Sequence, residues 1–344
     1  MNTLSSAHPA ETREERVMRL VTNGWIFLLL LGLIAIFAIV RPEQFGSSYN
    51  LQQIAINAAI LLVLAIGQTY VIISAGIDLS VGSVLVFASV VSAQVMLALS
   101  GADGTTYGTT AAGWDVIAIG IVAAMLAGIF WGLLNGVLIA VAKIPPLIVT
   151  LGTLGMALGS AQILSGGTDV RAIPEALVTQ VGSGRILGVP SLVLIAASVV
   201  VLAGIVLHFT RFGTHVFAIG SNAEASRRTG IRVNRGLITV YAISGLMAGI
   251  AAVMSNARFA TTTINGHTMD NLATISAVVL GGTSLFGGMG SVFGTVVGVF
   301  IPVILLNGFV ILGIPPFWQT VAMGAVLILA VWIDQLKRRL RKRG

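Results

Sequence analysis

The chain has 344 residues, of which 56% are hydrophobic and only 9% are charged, and its formal net charge at pH 7 is +7. Because an ordinary soluble domain carries about a quarter charged residues, this composition excludes a water-soluble globular protein. The sequence has no cysteine, and its four histidines show no metal-ligand spacing. We therefore predict no disulfide framework, no metal site and no cofactor.

Long apolar segments without charge follow one another along the chain. Residues 116–142 contain no charged residue, and neither does the whole stretch 271–333. A helix of about 20 apolar residues crosses a bilayer, whereas barrel strands would alternate apolar and polar residues. The sequence thus predicts an all-α integral membrane protein with about ten transmembrane helices. The predicted spans are 25–40, 54–73, 81–99, 116–141, 147–164, 190–209, 237–255, 272–286, 292–311 and 317–333.

The distribution of basic residues predicts the orientation of these spans. With ten spans and a cytoplasmic N-terminus, all but four of the 19 Lys and Arg residues fall on the cytoplasmic side, as the positive-inside rule requires. This arrangement divides the chain into a cytoplasmic tail (1–23), a transmembrane domain (24–334) and a basic cytoplasmic tail (335–344). The basic ends would contact anionic membrane lipid, so the positive charge requires no nucleic-acid partner. The four exceptions are Arg41, Arg171, Arg185 and Arg258.

Small residues and glycines give two further patterns. Glycines recur at four-residue spacing within the fourth, fifth, seventh and ninth spans, which predicts close helix packing in lipid. In addition, segment 75–84 is similar to segment 281–292, and each lies between two apolar spans. Such paired Gly-interrupted segments can mark the repeated halves of a transporter, although the abundance of Gly, Ser and Val would also produce the similarity. The span 272–286 runs into the second segment and either crosses the membrane or is half of a re-entrant pair.

Polar side chains within the spans are candidates for a substrate pathway. Asp78 is the acid that lies inside a long apolar stretch, and a carboxylate there is either a functional group or an N-terminal cap of the third helix. Uncharged amides and hydroxyls suit a neutral polyhydroxylated solute, and they equally suit hydrogen bonds between helices. The candidate pathway residues are Asn57, Gln68, Thr69, Asp78, Asn135, Thr150, Thr153 and Asn307.

The longest internal loop, 211–236, carries a predicted short helix at 222–231. Asn222 is a plausible cap and Gly230 a plausible end for this helix. A cytoplasmic helix between two spans can dock in the groove of a partner protein, and the alternative is a solvated connection. The candidate docking residues are Asn222, Glu224, Ala225, Arg227, Arg228 and Gly230.

Four blocks in this order, 74–83, 147–154, 217–222 and 278–285, resemble the permease subunits of ribose-type and related monosaccharide ABC importers. The resemblance covers nearly the whole chain. It implies an ABC permease bundle in the bacterial inner membrane that imports ribose or a related sugar. The implied partners are a second permease copy, identical or paralogous, a cytoplasmic ATP-binding subunit and a periplasmic sugar-binding protein. Glu224-Ala225-Ser226 followed by Gly230 looks like a looser form of the family's coupling motif, in which Ser226 replaces an Ala.

The outer loop 165–190 becomes a candidate docking surface once a periplasmic sugar-binding protein is implied. Its charged residues Arg171, Glu175 and Arg185 would attract the binding protein by charge complementarity, and the alternative is a solvated loop.

The sequence offers little support for two other functions. An ion-coupled secondary transporter of a small polar solute would need titratable groups along its path for proton coupling, and beyond Asp78 and His208 the spans have none; sodium coupling through neutral oxygens stays open. A membrane enzyme would need paired carboxylates, a His-based dyad or a metal. None of the three lysines follows Gly or precedes Ser or Thr, as a Walker A lysine must, so we expect any ATPase on another chain.

Overall fold

Residues 13–102, 108–267 and 269–341 are described by a computed structural model, in which nearly every element is a helix. The helices are α1 (Arg13–Val40), α2 (Pro42–Phe45), α3 (Ser48–Ile73), α4 (Val81–Leu99), α5 (Trp114–Ala140), α6 (Pro146–Ser165), α7 (Glu175–Leu177), α8 (Ser191–Phe209), α9 (Arg211–Ser221), α10 (Ala223–Arg228), α11 (Val233–Phe259), α12 (Asp270–Leu280), α13 (Val292–Ile311) and α14 (Pro316–Arg341). A π-helical turn (Val178–Gly182) and a hairpin of two strands, β1 (Arg185–Ile186) and β2 (Val189–Pro190), precede α8.

Eight of the helices in the described part of the chain are long and apolar enough to cross a membrane. They are α3, α4, α5, α6, α8, α11, α13 and the apolar part of α14. The apolar portion of α1, Ile26–Val40, is shorter, as is α12. The prediction of an all-α, multi-pass membrane protein is therefore confirmed, and each of the ten predicted spans overlaps one of these helices, although 272–286 does so only in part.

The predicted span 272–286 is wrong in its extent. The helix found there, α12, has 11 residues and ends at Leu280; at 1.5 Å per residue it is about 16 Å long, roughly half the hydrocarbon thickness. The chain leaves the helix at Gly282, whose φ of 91° a continuing α-helix does not allow; Gly287 and Gly288 also have positive φ angles and turn the chain again before α13. This segment therefore does not cross a membrane as one helix.

Helix α11 packs along α5 at very short range. A Cβ at Gly128 would overlap the Gly245 carbonyl oxygen, and one at Gly132 would overlap the carbonyl oxygen of Tyr241. In the same way, Gly298 of α13 lies against Ala277 of α12. The glycine patterns of these helices thus pack as predicted. The pattern on α6 does not, because a Cβ at Gly155 would meet no other part of the chain within 4 Å.

Side-chain caps fix the starts of several helices at membrane and loop boundaries. The side chain of Ser47 accepts a hydrogen bond from the Asn50 N–H at the start of α3, and Ser291 accepts one from Gly294 at the start of α13. Such caps satisfy backbone donors that have no partner within the helix. Since α3 is buried over most of its length, it forms the centre around which α8, α11, α12 and α13 pack.

Candidate functional site

The predicted short helix in the loop 211–236 is present as α10. It follows α9 after one residue, Asn222, whose side-chain Oδ1 accepts a hydrogen bond from the Ala225 N–H at 2.9 Å. The chain leaves the helix through Gly230, which has a φ of 88°. Asn222 and Gly230 therefore have the cap and end positions that the sequence predicted for them.

The surface of α10 is charged on its outer face. Glu224 forms ion pairs with Arg227 and Arg228, each at 3.3 Å, and all three side chains are exposed. Exposed pairs of this kind contribute only about 0.3–0.5 kcal/mol each, so they do little for stability. Ser226, on the opposite face, is buried. The helix thus presents Glu224, Ala225 and the two arginines outward, where a partner can contact them.

A buried polar cluster surrounds Asp78 in segment 74–80, which connects α3 to α4. Asp78 is 2% exposed. Its Oδ1 accepts hydrogen bonds from the N–H and the hydroxyl of Ser80, at 2.9 and 2.6 Å, and its Oδ2 accepts one from the Ser244 hydroxyl of α11 at 2.9 Å. Asp78 therefore bonds to the N–H of Ser80, the residue before α4, but no side chain caps the first turn of α4. Asp78 also links this segment to α11.

Side chains of three more helices bind the same segment. Asn135 Nδ2 of α5 donates to the Ser80 hydroxyl oxygen at 2.9 Å, and the Thr150 hydroxyl of α6 donates to the Ile77 carbonyl at 3.2 Å. Asn271 Nδ2 of α12 donates to the Leu79 carbonyl at 3.3 Å. We call Asp78, Ser80, Asn135, Thr150, Ser244 and Asn271 the Asp78 cluster. Three of the eight predicted pathway residues, Asp78, Asn135 and Thr150, meet in it.

The other five predicted pathway residues lie in different places. Gln68 is fully buried on α3, and neither polar atom of its side chain has a hydrogen-bond partner among the described residues. Thr69 shares a 2.7 Å hydrogen bond with Thr295, and Asn307 Nδ2 donates to Asn50 Oδ1 at 2.8 Å near the start of α3. The remaining two are Thr153, which bonds to the Thr150 carbonyl at 3.3 Å, and Asn57, which is exposed. The eight residues therefore do not form one hydrogen-bonded cluster within the described part of the chain.

Sequence reasoning missed a second buried network, formed by Ser255, His267 and Asp270. The Ser255 hydroxyl and His267 Nε2 lie 2.9 Å apart, and His267 Nδ1 lies 2.7 Å from Asp270 Oδ2. The three-residue spacing of His267 and Asp270 was readable from the sequence, but their approach to α11 was not. The arrangement resembles a hydrolase triad. Ser255, however, is fully buried within α11, so no substrate reaches its hydroxyl, and the network instead ties segment 260–267 to α11 and α12.

The outer loop 165–190 is attached to segment 260–267 by a charged side chain. Asp169 Oδ1 accepts hydrogen bonds from the Ile264 N–H at 2.8 Å and from the Thr262 hydroxyl at 3.3 Å. Arg171, Glu175 and Arg185 are exposed. Of these, Arg185 donates to Gln52 Oε1 of α3 at 2.7 Å. The loop is thus fixed to the helices while its predicted docking side chains lie at the surface.

Comparison with known proteins identifies the fold family. Residues 50–331 match the model of the family described as "Branched-chain amino acid transport system / permease component". The chain belongs to this permease family. It is 36% identical to the ribose import permease protein RbsC of Escherichia coli K12, over 93% of this chain and 97% of that protein.

Two other relatives are similar over comparable lengths. The chain is 32% identical to the galactose/methyl galactoside import permease protein MglC of Haemophilus influenzae, over 92% of this chain and 94% of that protein. It is also 32% identical to the D-allose transport system permease protein AlsC of Escherichia coli K12, over 90% of each chain. No solved structure matches the chain significantly. The family resemblance drawn from the four sequence blocks is therefore confirmed, and the membrane helices are those of a transport permease.

Proposed function

We propose that the protein is the membrane-spanning permease subunit of a bacterial ABC-type importer that carries ribose or a related monosaccharide across the inner membrane. The observation that carries the proposal is similarity over at least 90% of the chain to permeases named for ribose, galactose and D-allose. Neutral amides and hydroxyls on the membrane helices suit a neutral sugar, which needs hydrogen-bond partners and no counter-charge.

ATP hydrolysis belongs to a separate cytoplasmic subunit, and we place its docking site on α10. The exposed face of α10 supports this placement, because a short, capped helix with side chains of both charge signs can bind in a groove of the ATP-binding subunit. This face consists of Glu224, Ala225, Arg227 and Arg228. This assignment places both termini and the basic tails in the cytoplasm. A reporter fused after Gly344 and one inserted within 101–113 would test it, and an external C-terminus would contradict it.

The periplasmic sugar-binding protein docks on the outer loop 165–190 in this proposal. Exposed charges of both signs, at Arg171, Glu175 and Arg185, support a surface that orients a partner by electrostatic complementarity. Asp169 and Arg185 attach this loop to other parts of the bundle by hydrogen bonds, so a protein docked on the loop would be connected to the membrane helices.

A second permease copy completes the pathway. Asn57 lies on an exposed face in the outer half of α3, and an amide in contact with lipid tails would lack hydrogen-bond partners. A water-filled path between two copies would solvate this side chain. We therefore place Asn57 on the sugar path. We place the Asp78 cluster at the cytoplasmic side of the path, where its hydrogen bonds hold together the helices that line the path.

The decisive experiment is reconstitution of the permease with its ATP-binding subunit and binding protein in liposomes. We expect the liposomes to take up labelled ribose or a related monosaccharide. This uptake should require ATP on the side of the membrane that carries the ATP-binding subunit, and it should require the sugar-binding protein on the opposite side. The proposal would be contradicted if the complex took up none of the sugars ribose, galactose and allose. Uptake that an ion gradient drives without ATP would also contradict it.

A further inference from the structure

The two similar Gly-interrupted segments, 75–84 and 281–292, meet at the inner end of α3. The Gly288 N–H donates a 2.8 Å hydrogen bond to the carbonyl oxygen of Ile73, the last residue of α3. A Cβ at Gly290 would lie 2.8 Å from Cγ1 of Ile73, and one at Gly287 would lie 2.7 Å from Cβ of Ala75. The second segment is therefore seated directly on the start of the first.

The C-terminal end of α9 lies in the same place. A Cβ at Gly220 would overlap the Ile73 carbonyl oxygen and would lie 2.7 Å from the Gly288 nitrogen, while one at Gly288 would overlap the Ser221 hydroxyl oxygen. Three backbones thus touch with no side chain between them. We call the backbones of Ile73, Gly220 and Gly288 the three-way glycine contact. Ser221 ends α9, and the next residue is Asn222, the cap of α10.

Each partner of this contact leads to a different part of the bundle. Five residues after Ile73 the chain reaches Asp78, which binds Ser244 of α11. Three residues before Gly288, the Leu285 N–H donates to Asp334 Oδ2 of α14 at 3.3 Å. After Gly288 the chain enters α13 through the cap at Ser291. A displacement at the end of α9 therefore acts at once on segments that hold α4, α11, α13 and α14.

We propose that Gly220 and Gly288 are the positioning residues that transmit movement of α10 to the membrane helices during ATP-driven transport. The proposal rests on the docking of the ATP-binding subunit at α10, as stated under the proposed function. A contact between backbones has no rotamers to absorb a displacement, whereas side chains in contact can change rotamer. Since packed protein interiors are barely compressible and transmit strain, the three backbones move together.

This proposal also gives a role to the similarity of the two segments. Each provides a turn with a positive φ angle, at Ala75 in the first and at Gly287 and Gly288 in the second. Glycine adopts such angles without strain and permits close backbone approach. Because the second segment needs positive φ angles and close backbone approach at the three-way glycine contact, it is rich in glycine.

The substitution Gly220→Ala tests the contact, with Gly236→Ala as its matched control. The new methyl group at position 220 would meet two backbones, whereas at position 236 it would lie 2.6 Å from Cδ1 of Ile219, the flexible end of a side chain. Both variants are to be reconstituted as the complete complex with ATP-binding subunit and binding protein. We expect sugar uptake per ATP hydrolysed to fall about tenfold in Gly220→Ala, because the backbones must separate to accept the methyl group. We expect it to stay within about twofold of wild type in Gly236→Ala.

The outcomes separate this proposal from the proposed function. Absence of ATP-driven uptake in the wild-type complex would refute the proposed function. Normal uptake per ATP in Gly220→Ala, beside an active wild type, would overturn only the transmission role. Loss of the ATP-binding subunit from Gly220→Ala would also overturn it, since the substitution would then act on docking. Retained binding and ATP hydrolysis without uptake supports it.

Hydrogen exchange at the Gly288 amide of the wild-type complex provides a second test that depends on no variant. This N–H donates a 2.8 Å hydrogen bond to the carbonyl oxygen of Ile73. Because the backbones move together, we expect the amide to stay equally protected from exchange in the resting complex and during ATP hydrolysis. Exchange that becomes about tenfold faster during ATP hydrolysis would mean that these backbones separate in the cycle, and it would overturn the proposal.

Discussion

The Ser244 hydroxyl of α11 donates a 2.9 Å hydrogen bond to the Asp78 carboxylate, joining residues that lie in different halves of the sequence. The carboxylate accepts hydrogen bonds from Ser244 and Ser80 and is almost entirely buried. A buried charge without its donors costs several kcal/mol, so it must be fully hydrogen-bonded to be retained in the bundle.

We expect Asp78→Leu to destabilise the protein by about 3 kcal/mol or more, because the Ser80 N–H and two hydroxyls would lose their acceptor in a buried place. Ser244→Ala should cost about 1–2 kcal/mol, since the carboxylate keeps its two bonds from Ser80. Thermal unfolding of the detergent-solubilised protein measures both changes.

The matched control is Thr239→Ala on the same helix. The Thr239 hydroxyl is exposed and donates to the Arg235 carbonyl within its own helix, so its loss should change the melting temperature little. Equal shifts for Ser244→Ala and Thr239→Ala would contradict a stabilising role for the Asp78 contact.

The buried network of Ser255, His267 and Asp270 predicts a second effect on stability. His267→Ala should leave Asp270 and the buried Ser255 hydroxyl without their partner and should destabilise the protein by about 1–3 kcal/mol. A double-mutant cycle with Asp270→Asn isolates the pair, and we expect a coupling energy of at least about 0.5 kcal/mol. His215, which is exposed on α9, provides the control substitution His215→Ala. If the effects of His267→Ala and Asp270→Asn were strictly additive, the contact between His267 and Asp270 would contribute nothing to stability.

Charge reversal on the outer loop tests the docking of the binding protein. We expect the double variant Arg171→Glu and Arg185→Glu to slow uptake more at 0.01 M than at 0.1 M salt, where the Debye length is about 30 Å against about 10 Å. Gln52→Ala is the control, because it removes the hydrogen-bond partner of Arg185 without changing its charge. If the uptake rates of the wild type and of the double variant were both independent of salt, the binding protein would not dock here by electrostatic attraction.

The sequence predicted the helices far better than it predicted which polar residues meet. Span lengths follow from hydropathy, which is a local property, so 81–99 and 292–311 coincide with α4 and α13. The end of α12 was missed because the chain turns on glycine φ angles that hydropathy does not record. Asp78 was a candidate because it is the acid within an apolar stretch, but its partner Ser244 is an ordinary small residue of another helix. Contacts of this kind depend on how distant helices pack.

The last prediction concerns α10 and separates a docking helix from a solvated connection. Ala225→Pro removes the N–H that donates to Asn222 Oδ1, and a lost cap costs about 1 kcal/mol or more. Arg227→Pro lies nearer the end of the helix, and an interior Pro costs about 3 kcal/mol. We expect both variants to insert normally, because the membrane helices are unchanged.

We further expect transport to fail in both Pro variants, with either loss of the ATP-binding subunit on purification or loss of the stimulation of its ATP hydrolysis by sugar-loaded binding protein. Ala225→Ser is the matched control at the same position, since it keeps the backbone N–H and a small side chain. It should retain uptake. Because α10 has six residues, of which only Ser226 is buried, we expect its unfolding to change the melting temperature of the bundle little. Normal uptake with Pro at both positions would show that the helix transmits nothing, and the docking site on α10 would have to be withdrawn.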